Sequence, residues 1–292
     1  MGSEMCIRDS DTQSLISQGH MQSDCRDIMV IDSHRNTLSH WVMEGSCNTE
    51  KTVIWIKIGN LEPYEEINVT VYYGNPHASD TSDGASTFLI FDNFSDDYTS
   101  SGEWWNPGDP ANNYNRDDTL SIYLGGSNND TWVNKSGAPF LLYNIESIDV
   151  SDITVIAKEL STKVANNSQT LLSVMHDRSP TTDPSDPHRF YIGRYKSSSK
   201  IACLYDGCDT IAEKDLSQSP VFLRIDVSSG DSNKIKMYYS DNVDDWTHLV
   251  DYGYNLQMNL VGLGARNWDD DYIAGSTVAV FDFILVACNM NR

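Results

Sequence analysis

Residues 67–97, INVTVYYGNPHASDTSDGASTFLIFDNFSDD, constrain the fold more than any other stretch. Asn68-Val-Thr-Val-Tyr-Tyr73 alternates polar and apolar residues at period two, the pattern of a half-buried strand. Gly74-Asn75-Pro76 ends it, since proline cannot donate to a strand ladder and Gly and Asn accept turn geometry. Residues 77–87 are small and polar, the composition of a linker. Phe88-Leu-Ile-Phe-Asp-Asn-Phe94 then starts a new apolar run. A boundary between two β domains is expected here.

The rest of the chain repeats this grammar. Its apolar runs are short and rich in Val, Ile, Tyr and Phe, and clusters of Gly, Asn, Asp, Ser and Pro separate them. Strands are predicted over 120–124, 140–143, 153–160, 170–176, 190–195, 201–205, 221–227, 235–240, 260–265 and 277–286. Helical periodicity is nearly absent, so the class is all-β, an antiparallel sandwich or barrel. A length of 292 residues accommodates two domains.

Forty-two acidic residues stand against 20 basic ones, a net charge of −22. That balance argues against nucleic acid, whose phosphates demand stripes of Lys and Arg, and against anionic membrane surfaces. It fits cation binding, a high-salt habitat or solubility alone. No run of 18 apolar residues exists, so no segment of this text spans a membrane as a helix.

Two families are suggested by motifs that keep their order. Leu15-Ile-Ser-Gln-Gly, Ser23-Asp-Cys-Arg-Asp-Ile, Ile31-Asp-Ser, Trp41-Val-Met-Glu, Cys47-Asn-Thr, Ile54-Trp-Ile-Lys-Ile and Tyr72-Tyr-Gly-Asn-Pro occur across residues 11–76. This segment resembles the domain of unknown function 2341 found in secreted archaeal and bacterial surface proteins. Phe91-Asp-Asn-Phe-Ser, Ile235-Lys-Met-Tyr-Tyr-Ser-Asp and Phe281-Asp-Phe-Ile-Leu-Val mark residues 88–292 as similar to concanavalin A-like lectin and glucanase sandwiches. The resemblance implies a small antiparallel β-sandwich followed by a concanavalin A-like jelly roll. Members of the first family begin with an aromatic-rich strand, whereas this chain has MGSEMCIRDS. That string reads as translated sequencing-adapter DNA of the kind that contaminates assembled metagenomes. Residues 1–10 are therefore expected to lie outside the fold, and the first domain to lack a strand and to self-associate through an unpaired edge.

The first resemblance implies a bridge between Cys25 and Cys47. Cys203 and Cys208 flank Asp206-Gly207, a tight-turn pair, and could staple a hairpin. Zinc is the weaker reading of these thiols, because no Cys-x-x-Cys spacing appears. Cys288 has no evident partner. Asn68, Asn93, Asn129, Asn134 and Asn166 each open an Asn-x-Ser/Thr sequon. Bridges and sequons together favour an extracellular or cell-surface location.

Catalytic patterns are weak. Retaining hydrolases of the second family carry Glu-x-Asp-x-x-Glu on one strand, which aims two carboxylates into one cleft. The nearest string, Glu146-Ser-Ile-Asp-Val-Ser-Asp152, has the wrong spacing and no second Glu. No Gly-x-Ser-x-Gly elbow exists. His176 and His188 flank a Pro-rich loop that reads as solvated. Residues 240–247, SDNVDDWT, form a turn whose Trp246 packs back on the next strand.

Sugar-binding faces stack aromatic rings on pyranose CH groups. Trp104, Trp105, Trp132 and Trp268 are the candidates, each with edge packing as its alternative. The adjacent pair Trp104-Trp105 stands out, because neighbouring strand residues face opposite ways. The second resemblance also implies a structural Ca²⁺ near Asp92, Asn93 and Asp282, with the Asp269-Asp270-Asp271 loop as a rival site. The expected function is glycan binding or adhesion without catalysis. A glycoside hydrolase with a non-standard carboxylate pair, or a purely structural surface-layer module, is the alternative.

Overall fold

A computed structural model describes residues 4–59, 66–95, 102–107, 109–126, 129, 137–148, 152–177, 189–205, 212–216, 220–228, 234–243, 245–254, 256–268 and 273–288. The chain is all-β, as the short apolar runs require, with two brief helices among these residues. It separates into two compact units, Met1–Phe91 with Val286–Arg292, and Asp92–Leu285.

The first unit contains β1 (Glu4–Ser10), α1 (Thr12–Ser17), β2 (Met29–Asp32), β3 (His40–Val42), β4 (Thr52–Ile58), β5 (Val69–Tyr72) and α2 (Gly84–Thr87). β4, TVIWIKI, is its core strand, buried at every position but Lys57. It lies between β1 and β3, while β2 and β5 form a separate antiparallel pair. Ile54, Ile56 and Ile58 of β4 share a core with Val30, and the half-buried Val69 and Val71 pack against it. A second aromatic core sets Trp41 edge-on to Phe88 and Phe91 at 5.6 and 4.9 Å, with Trp55 on Phe88 at 5.4 Å.

Residues 4–10, expected to lie outside the fold, instead pair with β4 from Glu4 opposite Ile58 to Ser10 opposite Thr52. An unpaired edge was expected in the first unit, and β4 is paired on this side. Physically, an almost wholly apolar strand such as β4 needs backbone partners on both sides. Residues 77–87, expected as a linker, lie in the first unit and include α2, which Asp83 caps through the amides of Ala85 and Ser86.

The alternating 68–73 segment is a strand with alternating burial. Gly74 adopts φ +97°, a left-handed conformation that suits glycine. Its amide donates to the buried Asp27 at 2.6 Å, and Asp27 also accepts from Gln22 N at 3.1 Å. The Cys25–Cys47 disulfide is present, with Cα atoms 6.0 Å apart.

The chain continues through β6 (Ile90–Asp92), β7 (Glu103–Trp105), β8 (Asn113–Arg116), β9 (Leu120–Tyr123) and β10 (Phe140–Asn144). Next come β11 (Asp152–Glu159), β12 (Ser168–Met175), β13 (Arg189–Arg194), β14 (Lys200–Tyr205) and β15 (Ala212–Asp215). The last strands are β16 (Val221–Ser228), β17 (Lys234–Ser240), β18 (Thr247–Gly253), β19 (Leu260–Asn267) and β20 (Val278–Cys288).

Among the described residues the second unit has a seven-stranded sheet, β15-β14-β13-β12-β19-β10-β7, and a second sheet with β18-β17-β16-β11-β20-β9-β8. Their strand pairings are antiparallel, and β12 and β13 pack on β16 across the interior. The result is a β-sandwich, whose central strands are buried on both faces.

Candidate functional site

Strand alternation assigns the two faces of the seven-stranded sheet. Arg194 of β13 reaches Glu159 of β11 in the other sheet, 3.3 Å away, so residue 194 and its pleat partners point inward. Arg189, Tyr191 and Tyr195 therefore point outward. Register carries that parity across the sheet to Leu171, Gly264, Phe140 and Trp105. The outward residues Phe140, Leu142, Leu171, Met175, Tyr191, Tyr195, Ala202 and Leu204 form one buried cluster with Ala138.

Two of the four tryptophans singled out from sequence meet on this face. Trp105 and Trp268, both half-buried, pack against the cluster from different strands. Trp105 lies 6.1 Å from Phe140, which stacks on Tyr191 at 6.2 Å, so three rings run across the sheet. Trp268 lies 5.4 Å from Tyr195. Glycines make this layer flat. A Cβ on Gly264 would meet the Phe140 ring at 2.5 Å, and one on Gly262 would meet Leu142 Cδ2 at 2.6 Å. Their absence lets both side chains lie across β19.

Each platform ring has a guanidinium over it. Arg189 sits 5.6 Å from the Trp105 ring, and Arg266 sits 5.4 Å from the Trp268 ring. Arg266 Nε donates to Gln169 Oε1 at 3.1 Å, which fixes its plane. Such contacts hold an indole in one orientation with one face turned to its cation. These arginines were not found by sequence reasoning. Their signal is only the register that places them beside an aromatic, invisible until strands are paired.

Trp104 points the other way, as the alternation of neighbours requires. Its ring lies 4.6 Å from Tyr114 of β8, so the two rings bridge the edge strands of both sheets. Trp104 is thus an edge seal and not part of the outward platform. Trp132 lies outside the described residues.

The acidic candidates have protein partners. Asp92 is fully buried; Oδ1 accepts from Phe94 N at 2.8 Å and Arg116 at 2.9 Å, and Oδ2 from Tyr143 at 2.7 Å. Asn93 Oδ1 accepts from Ser95 Oγ at 3.1 Å. Asp282 pairs with Lys158 at 2.5 Å. A calcium shell needs six to eight oxygens, whereas Asp92 here accepts three protein donors, two on Oδ1 and one on Oδ2. Among the described residues no three His, Cys, Asp or Glu side chains gather into a group that could hold a metal. Residues 269–271 lie outside the described ones.

Cys203 is a free thiol and not half of a bridge. Its side chain shares the inward parity of Ile192, it is buried between the sheets, and burial pushes its thiol far up. Cys208 lies outside the described residues. Glu159, the one fully buried glutamate among the described residues, has its carboxyl pushed up by burial against the pull of Arg194. It faces the interior and has no carboxylate partner among its described contacts. Glu146 is exposed in a turn, and His176 Nδ1 contacts Gln257 O at 2.6 Å. Of the sequons, Asn129 is buried and bonded through its amide oxygen to Asp109 N and Asn112 Nδ2, which removes it as an acceptor.

Comparison with known proteins separates along the chain. A family model described as a domain of unknown function, DUF2341, matches residues 24–107, beginning later and running further than the motifs at 11–76. No curated protein matches the chain. The GH43 protein BlXynB of Bacillus licheniformis superposes with a TM-score of 0.51 at 12% identity, over 92% of this chain and 56% of that one. An engineered GH43 glycoside hydrolase with endo-xylanase and exo-arabinofuranosidase activity gives 0.50 at 12%, over 86% and 52%. A bifunctional GH43-CE protein of Bacteroides eggerthii gives 0.50 at 11%, over 81% and 31%. The chain thus spans about half or less of these relatives' length. At such identity the likeness is one of β-sandwich fold.

Proposed function

We propose that the second unit is a non-catalytic glycan-binding module that uses the outward face of its seven-stranded sheet. The observation that carries this reading is the placement of Trp105 and Trp268. Both are half-buried at the margin of a layer of otherwise buried aromatics, and each is braced by an arginine. An indole fixed before the ligand arrives loses little rotamer entropy on stacking against a sugar. The solved structure named for endo-xylanase and exo-arabinofuranosidase activity suggests xylan-type glycans as first probes. The disulfide of the first unit and the resemblance of that unit to surface-protein modules support an extracellular setting.

Catalysis is the second reading, and the interior placement of Glu159 speaks against it. The test is isothermal calorimetry with xylan and glucan oligosaccharides. Trp105→Ala and Trp268→Ala should each weaken binding about tenfold, the weight of one lost ring stack, with the far-ultraviolet dichroism retained. Turnover of the same oligosaccharides by the intact chain, or unchanged affinity in both variants, would overturn the proposal.

A further inference from the structure

The turn 240–247 and the outward face of the other sheet hold a second aromatic assembly. Arg224 of β16 is bonded twice to Asp226, Nε to Oδ1 at 2.7 Å and Nη2 to Oδ2 at 2.8 Å. Thr154 Oγ1 donates to the same carboxylate at 2.8 Å. The guanidinium lies against two rings, 5.1 Å from Tyr238 and 5.5 Å from Trp246. His248 follows at 5.2 Å from Tyr238, and its Nε2 is 2.7 Å from Asp251 Oδ1. Arg224 and Asp226 are nearly buried, while Trp246 and Tyr238 are half-buried and His248 and Asp251 exposed.

A buried Arg–Asp pair is a weak source of stability, because desolvation offsets most of its attraction. What this one does is hold a flat guanidinium, and over it an indole, at the surface of a rigid sheet. We propose that Trp246 is a saccharide platform separate from the Trp105–Trp268 face, for an uncharged glycan. Charge selects the ligand class. Arg224–Asp226, His248–Asp251 and Lys158–Asp282 each close a pair on this face. The turn adds exposed Asp241 and Asp245, within a chain of net charge −22. Carboxylates accept hydrogen bonds from hydroxyls and repel anions, so a neutral polyol is accepted and a uronate or sulfated chain is not. The platform sits on the opposite sheet from the first face, so one module could engage two chains or two segments of one chain. Two linked contacts raise avidity well above either alone.

The test labels the full chain with 5-fluorotryptophan and assigns its resonances by single Trp→Phe variants. Xylohexaose and cellohexaose serve as neutral probes and oligogalacturonate as the anionic one. The Trp246 resonance should shift saturably with at least one neutral probe and stay still with the anion. It should shift equally in the Trp105→Phe, Trp268→Phe double variant. Arg224→Ala, which frees the indole, should weaken that response about tenfold, while Arg224→Lys, which keeps charge but not the planar brace, should fall between. Shifts of Trp105 and Trp268 with Trp246 unmoved would overturn this proposal and leave the first face standing. A response of Trp246 alone would do the reverse, a response to oligogalacturonate alone would overturn the ligand class, and stillness of all three rings would overturn both.

Discussion

His40 lies buried in β3, and burial holds its imidazole below the usual histidine range, only partly countered by Asp80. The unfolded chain therefore takes up a proton before the folded one does. Linkage fixes the sign: stability tied to His40 is present above the ordinary histidine pKa of about 6.5 and is lost as pH falls below it. Urea midpoints followed through Trp41 and Trp55 should drop between neutral pH and pH 5, and His40→Gln should flatten that slope. A wild-type midpoint constant over this range would remove His40 from the account. Cys25 and Cys47 act on the other side of the equilibrium. The bridge spans 22 residues, and closing a loop of that size restricts the unfolded chain by about 3 kcal/mol. Reduction should lower the urea midpoint of the first unit and leave the second unit's unchanged, since Cys203 is an unbridged interior thiol.

At the scale of elements, the strands legible in the sequence are the inner ones. β11, β12, β13 and β16 are buried on almost every residue and read as continuous apolar runs. In the second unit, the strands absent from the sequence reading are edges. β7 is EWW, β8 is NYNR and β15 is AEKD, and each ends the order of its sheet. An edge strand is paired on one side only and carries charge or polar residues to deter further pairing, which erases the apolar signal. β1 was missed for another reason: its sequence looked foreign, yet an antiparallel ladder needs only backbone groups. In the candidate site, Trp105 and Trp268 were legible as aromatics outside strand cores. Arg189, Arg266 and the glycines were not, because they act through cross-strand neighbours. Trp104 was legible as a surface aromatic with edge packing as its alternative, and its packing on Tyr114 takes the alternative. Trp104→Ala should uncouple β7 from β8 and cost about 1–3 kcal/mol, below the range for a fully buried Trp. Hydrogen exchange should then quicken in 103–105 and 113–116 while saccharide affinity is kept, and loss of affinity with unchanged exchange would place Trp104 in the binding face instead.

For the molecule as a whole, the acidic excess and its distribution decide how it meets cations. The net charge is −22, yet buried or partly buried Asp92 and Asp282 each have a basic partner, Arg116 and Lys158. Exposed carboxylates then carry most of the unbalanced charge, and their mutual repulsion works against the compact state. Added salt screens that repulsion, with a Debye length near 10 Å at about 0.1 M falling to about 3 Å at 1 M. The melting midpoint should therefore rise with sodium chloride. Calcium chloride at matched ionic strength should give nearly the same rise, and a chelator should leave the midpoint of untreated protein unchanged, because Asp92 already accepts from Arg116, Tyr143 and the Phe94 amide. A rise specific to calcium and reversed by chelator would contradict this. Its loss in Asp270→Asn would assign the ion to the 269–271 loop, whereas its loss in Asp282→Asn, with the loop variant unaffected, would mean that calcium displaces Lys158 and that the donor set is not closed.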